Sequence, residues 1–159
     1  MAYIVDGNNV MGQTPGWHRD KAKARRRLLE QLADFARVKK ARVTVVFDGE
    51  PGMGAPDGSA FRGVKVFYAD RGSDADTRIE RLVESSLNRR GITVVTSDRR
   101  LASSVRSSGA TVIRSGEFRK QVEHAIASAS EEENGKQEQV DDVDVWLRYF
   151  GATDEDSDK

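Results

Sequence analysis

The chain contains no cysteine, only two histidines and three prolines, and no apolar run that approaches the length of a membrane-spanning helix. The lack of cysteine rules out disulfides, thiolate metal sites and cysteine nucleophiles, and it fits a reducing compartment. His18 and His124 have no spacing typical of zinc ligands and no serine in a nucleophile elbow to serve. A Gly-x-x-x-x-Gly-Lys phosphate loop is missing too. Asp6-Gly7-Asn8-Asn9 lacks the second aspartate and the threonine of an aspartyl-phosphate phosphatase, and Arg114-Ser115 stands where a receiver domain needs a lysine. Met1-Ala2 leads straight into an apolar strand pattern, without the parts of a signal peptide, so a cytoplasmic protein with no membrane partner is expected.

What is present is charge, and it is segregated. Residues 128–159 hold 11 acidic and 3 basic side chains, a net of −8, and the remainder carries a net of +8 although the whole chain sums to zero. A basic body points to a polyanionic partner, with the acidic tail as a solubilising or competing segment.

The basic body is organised around Tyr3-Ile4-Val5-Asp6-Gly7-Asn8-Asn9, a short apolar strand running into a carboxylate, a glycine and two amides. Three more segments repeat the form: Val43 to Phe47 runs into Asp48, Val64 to Ala69 into Asp70, and Ile92 to Ser97 into Asp98. Apolar, β-branched runs separated by helical patterns read as buried parallel strands, so the four aspartates should emerge at one edge of one sheet. Open parallel sheets bind ligands outside that carboxyl edge. Each aspartate alone has a structural explanation as a turn or cap residue, but together they form an acidic cluster. Like charges roughly 5 Å apart cost on the order of 1 to 3 kcal/mol per pair, which a hard divalent cation with oxygen ligands relieves. The expectation is a magnesium or manganese site.

Between the strands, Arg19 or Asp20 to Lys40 reads as a long helix with Leu28, Leu32, Phe35 and Val38 inward, and with Lys21, Lys23, Arg25, Arg26 and Arg27 in its first half. Cations there oppose the helix dipole, and phosphate contact is one reason to keep them. Gly49 to Gly63 reads as a flexible loop, either a substrate-contacting segment or a tolerated insertion. Ser73 to Arg90 reads as a helix with Ile79, Leu82, Val83 and Leu87 inward, opened by Ser73-Asp74-Ala75-Asp76 with Ser73 and Asp76 at capping-box spacing, and ended by a left-handed Gly91. Asp98 opens a short helix, Ala110 to Arg114 forms a fifth strand, and Ser115-Gly116 opens a helix carrying Phe118, Val122, Ala125 and Ile126. The expected organisation is an α/β domain over 1–130, a linker over 131–139, a short C-terminal helix over 140–151 and a disordered acidic tail over 152–159.

The segments Ile4-Val5-Asp6-Gly7-Asn8-Asn9-Val10, Val45-Val46-Phe47-Asp48-Gly49, Ser73 to Glu80 and Val94-Val95-Thr96-Ser97-Asp98 resemble those of the NYN domains of the YacP-like family, within the PIN-like nuclease superfamily. The likeness runs from Tyr3 to about Ala127. It implies a three-layer, Rossmann-like domain with a central parallel sheet in strand order 3-2-1-4-5. It also implies a metal-dependent endoribonuclease, which in bacterial members is associated with ribosomes and messenger RNA. On the matching positions Asp6, Asp76 and Asp98 would hold Mg2+ or Mn2+, Asp48 and Asp74 would be further acidic residues of the site, and Asn8 would position phosphate or water. This chain has Asn8 where the usual Asp-Gly-Tyr-Asn opening has tyrosine, so Asn8 and Asn9 both stand for that role.

For an RNA phosphodiester, Arg25, Arg26, Arg27, Arg99 and Arg100 are the expected phosphate contacts, with Thr96 and Ser97 orienting the carboxylates. Trp17, beside a proline-glycine turn, reads either as a base-stacking residue or as a local plug. The reading from another class is a non-catalytic RNA- or ribosome-binding module that keeps the acidic edge as a cation site.

Overall fold

The structure is a computed structural model, which describes the backbone of residues 1–52 and 54–149 and the side chains of residues 1–52 and 54–132. Six strands, β1 (Ala2–Asp6), β2 (Arg42–Phe47), β3 (Ser59–Phe61), β4 (Val64–Tyr68), β5 (Ile92–Val95) and β6 (Thr111–Ile113), form one sheet in the order β3-β4-β2-β1-β5-β6. Five helices accompany them among the described residues: α1 (Gly7–Met11), α2 (Lys21–Lys39), α3 (Ala75–Glu84), α4 (Arg99–Ser107) and α5 (Ser115–Tyr149). The strands β4, β2, β1, β5 and β6 are all parallel, which is the expected order 3-2-1-4-5 of the βα strands. The addition is β3, an antiparallel edge strand on β4, so the 49–63 stretch expected to be all loop contains an element.

Alternation along the strands assigns the two faces. Ile4 and Val46 pack with Ile79 and Val83 of α3 and Leu101 and Val105 of α4 in one core. Tyr3 faces the other way, where its ring meets those of Phe35 in α2 and Phe118 in α5 at 5.4 and 5.7 Å. By the same period Asp6 follows Ile4 and Asp48 follows Val46 onto the face of α3 and α4. Gly7 then has to be glycine: a Cβ there would lie 2.5 Å from the Phe47 ring, so only a bare backbone lets α1 start over β2.

Three boundaries differ from the sequence reading. Helix α3 ends at Glu84 rather than at Arg90, the chain turns through Ser85-Ser86, and Leu87 is fully exposed instead of inward. Gly91 closes a short 3-10 turn, Arg89–Gly91, in which the Asn88 side chain accepts from the Gly91 N–H; it is not a left-handed cap. The 131–139 stretch, read as a linker, is helical as part of α5, as is the backbone of 140–149. Side chains of the stripe Val140, Val143, Leu147 and Phe150, and the tail 152–159, lie outside the described residues. Residues Met1–Ala125 form one compact unit and Ile126–Lys159 a second.

Candidate active site at the carboxyl edge of the sheet

Asp6 ends β1 and precedes α1, a position that invites helix capping, yet its carboxylate makes no capping bond. It is buried, and its Oδ2 accepts a hydrogen bond of 3.0 Å from the Thr96 hydroxyl. The pairing of β1 with β5, Val5 beside Val95, brings Thr96 next to Asp6. The Thr96 oxygen in turn accepts from the Asp98 backbone N–H at 3.1 Å. One buried threonine therefore ties Asp6 to the start of α4.

Asp76 lies in the first turn of α3, whose N-cap is Asp74; the Asp74 carboxylate accepts from the Thr77 N–H and hydroxyl at 2.8 and 2.7 Å. The cap is thus Asp74 and not Ser73. Asp48, at the end of β2, accepts from the Ala75 N–H at 2.8 Å and so docks the beginning of α3 against the sheet edge. Asp98 caps α4 through the N–H groups of Arg100 and Leu101. Asp48, Asp74 and Asp98 thus each hold a helix start with one oxygen, and a carboxylate has lone pairs left over.

These acidic groups perturb one another. Burial pushes the Asp6 carboxyl up to about 7, against the Thr96 hydrogen bond, and the charges of Asp76 and Asp48 add to the rise. Asp76 is raised to about 6, first by burial and then by the charges of Asp98, Asp74 and Asp48, with a hydrogen bond to the Asp98 carboxyl besides. Asp74 moves the other way: its hydrogen bonds to Thr77 hold it below the usual carboxylate range, helped by the charge of Arg100. Asp76 thus feels the charges of Asp98, Asp74 and Asp48, and Asp6 those of Asp76 and Asp48. Asp70 is engaged elsewhere, in ion pairs with Arg78 and Arg81 at 3.1 and 2.7 Å.

Among the described residues no three acidic or histidine side chains already stand in an arrangement ready to hold an ion. The donor set fits a hard divalent cation. All its donors are oxygens, several are anionic, and part of the cluster is buried where uncompensated charge is costly.

The two asparagines have separate jobs in the scaffold. The Asn8 side-chain oxygen accepts from the Asp48 N–H at 3.1 Å, fastening α1 to the end of β2. The Asn9 oxygen accepts from the Ser97 N–H at 2.9 Å and from the buried Ser115 hydroxyl, fastening α1 to the end of β5 and the start of α5. Ser97 does not reach the carboxylates; its hydroxyl accepts from the Ser115 N–H. The sequence offered Asn9 beside Asn8 as a phosphate- or water-positioning group and Ser115 as a helix opener; the bond that ties the two together joins segments 106 positions apart.

The sequence profile of the YacP-like NYN domain matches residues 3–147. The chain belongs to the YacP-like NYN family. Two solved structures are similar to this NYN domain, both of Rae1 (YacP) from Bacillus subtilis. The W164L mutant superposes with a TM-score of 0.73 at 25% identity, covering 87% of this chain and 85% of that one. The other has a TM-score of 0.68 at 25% identity, covering 99% and 98%. No curated protein matches the chain. Membership of the NYN family supports a nuclease-type, RNA-related function.

The basic residues of this NYN domain divide by role. Arg25 is half-buried, donates to the backbone oxygens of Asp48 and Glu50 at 2.6 and 3.0 Å, and lies over the Phe47 and Tyr68 rings. It is a strut for the loop after β2, which explains one of the cations in the first half of α2 without RNA. Arg26 pairs with Glu30 and covers Phe61. Arg27, Arg99 and Arg100 are exposed, the last two in the first turn of α4 directly after Asp98.

Proposed function

We propose that the chain is a magnesium- or manganese-dependent endoribonuclease that hydrolyses phosphodiester bonds of messenger or ribosome-associated RNA. The observation that carries this reading is geometric: Thr96 links the buried Asp6 to the backbone of Asp98 at the start of α4, while Asp48 docks the start of α3, in whose first turn Asp76 stands. Asp6, Asp76 and Asp98 would hold the cation. When bound, it supplies charge stabilisation for the scissile phosphate and a more acidic water. Thr96 fixes the Asp6 carboxylate, Asp48 and Asp74 hold the start of α3 so that Asp76 faces the cluster, and Arg99 and Arg100 offer positive charge to the flanking phosphates. In-line attack by water leaves a 5′ phosphate and a 3′ hydroxyl.

The second reading, a non-catalytic RNA- or ribosome-binding module, draws on the helix-docking and capping hydrogen bonds that Asp48, Asp74 and Asp98 already make. Incubation of the protein with single-stranded RNA, with and without EDTA, separates the two. EDTA-sensitive cleavage that is lost in Asp98→Asn while RNA is still bound supports the nuclease. Binding without cleavage by the wild type supports the module.

A further inference from the structure

We infer that a cleft between the 12–20 loop, α2 and α5 is a binding subsite for one nucleotide of single-stranded RNA, with Trp17 as the base platform and Arg19, Lys23 and Arg27 on the phosphates. The cleft has a volume of about 240 Å³ and is lined by these residues together with Arg119. Four cations face it against one carboxylate, Asp20, whose oxygen already caps α2 through the Lys23 N–H. Among the described residues Arg19, Lys23 and Arg27 enter no ion pair. Their charge is therefore not spent inside the protein. Such a concentration at the start of a helix opposes its dipole, which an anion in the cleft would offset.

Trp17 is half-buried and stands outside the hydrophobic core, with the Lys21 ammonium 6.0 Å from its ring centroid and the His18 ring edge-on to it. Here Met11 and Leu28 form the floor and the cations form the rim, the combination of stacking surface and positive groove that binds single strands without base readout. The wall is held in place by Arg119, which donates to the Thr14 hydroxyl across the cleft and pairs with Glu123. The cleft also begins where the acidic site ends. Asp6 directly precedes α1, and Val10 and Met11 of that helix line the cleft, a displacement of about 7 Å along the helix axis.

The inference rests on the RNA-directed reading above, and its test needs no catalysis. Full-length protein carrying Trp146→Phe, so that Trp17 is the sole tryptophan and is excited selectively over the tyrosines, is titrated in EDTA with a single-stranded ribo-oligonucleotide and, separately, with AMP. The oligonucleotide is expected to quench Trp17. Trp17→Ala, followed by anisotropy of labelled RNA, should weaken binding about 10-fold or more, with Trp17→Phe recovering most of it. Lys23→Gln, at an exposed position that leaves folding intact, should make the slope of log affinity against log salt shallower by about 0.7. Wild-type affinity in Trp17→Ala together with an unchanged salt slope in Lys23→Gln overturns the subsite. Saturation by AMP as tight as by the oligonucleotide also overturns it, in favour of a mononucleotide site. Neither result touches the nuclease reading, which stands or falls on EDTA-sensitive cleavage.

Discussion

Replacing Asp6 with asparagine should make the protein more stable at alkaline pH while abolishing its cleavage activity. Asp6 is 4% exposed and its carboxyl is raised from 3.8 to about 7, by burial first and by the charges of Asp76 and Asp48 after that. A carboxyl whose folded pKa exceeds its unfolded value is protonated more readily in the native state. The contribution of Asp6 to stability is therefore most favourable below about pH 4, where both states carry the proton, and declines as pH rises from 4 to 7. Above pH 7 the full cost of the buried anion is present, about 4 kcal/mol from a shift of some three units. Asparagine keeps an oxygen to accept the Thr96 hydroxyl, so at pH 8 in EDTA the variant should be more stable by roughly 2 to 4 kcal/mol. At pH 4 the two proteins should be nearly equal. Urea denaturation followed by circular dichroism at both pH values measures the difference. Added Mg2+ should narrow the gap at pH 8, because a ligand that binds only the native wild type stabilises it. A variant less stable than wild type at pH 8 in EDTA would refute the claim that Asp6 is a strained anion kept for a purpose other than folding.

Other perturbations follow from single contacts. Thr96→Val removes the hydroxyl between Asp6 and the Asp98 backbone, and cleavage should fall at least 10-fold with a loss of about 1 to 3 kcal/mol in stability, Thr96→Ser restoring both. Arg25→Ala should cost about 1 to 3 kcal/mol and speed hydrogen exchange of residues 48–52, yet leave the salt slope of RNA binding unchanged, because its guanidinium serves Asp48 and Glu50 rather than phosphate. A shallower slope in that variant would return Arg25 to the RNA contacts.

The five parallel strands were readable because each is a β-branched apolar run with helical periodicity after it, and that pattern alone fixes which chain ends share an edge. The antiparallel β3 was not, since Ser59-Ala60-Phe61 has no apolar period and exists through its pairing with β4. Helix α3 was read too long because Leu87 falls four residues after Val83, a spacing that periodicity counts as inward although the chain has already turned at Ser85. The aspartates at the sheet edge were visible from their place after the strands; that Asp70 is withdrawn from them by Arg78 and Arg81 depends on contacts between segments. Arg25 looked like its neighbours in the sequence. Only the fold brings it to the backbone of Asp48, 23 positions away.

The central claim, that Asp6, Asp76 and Asp98 share one cation, is tested most directly by adding Mn2+ to protein with 13C-labelled aspartate carboxyls and following each resonance. The account predicts that the signals of these three broaden together at substoichiometric metal, while Asp70 stays sharp. Broadening of none of them, or of Asp98 alone, would contradict it.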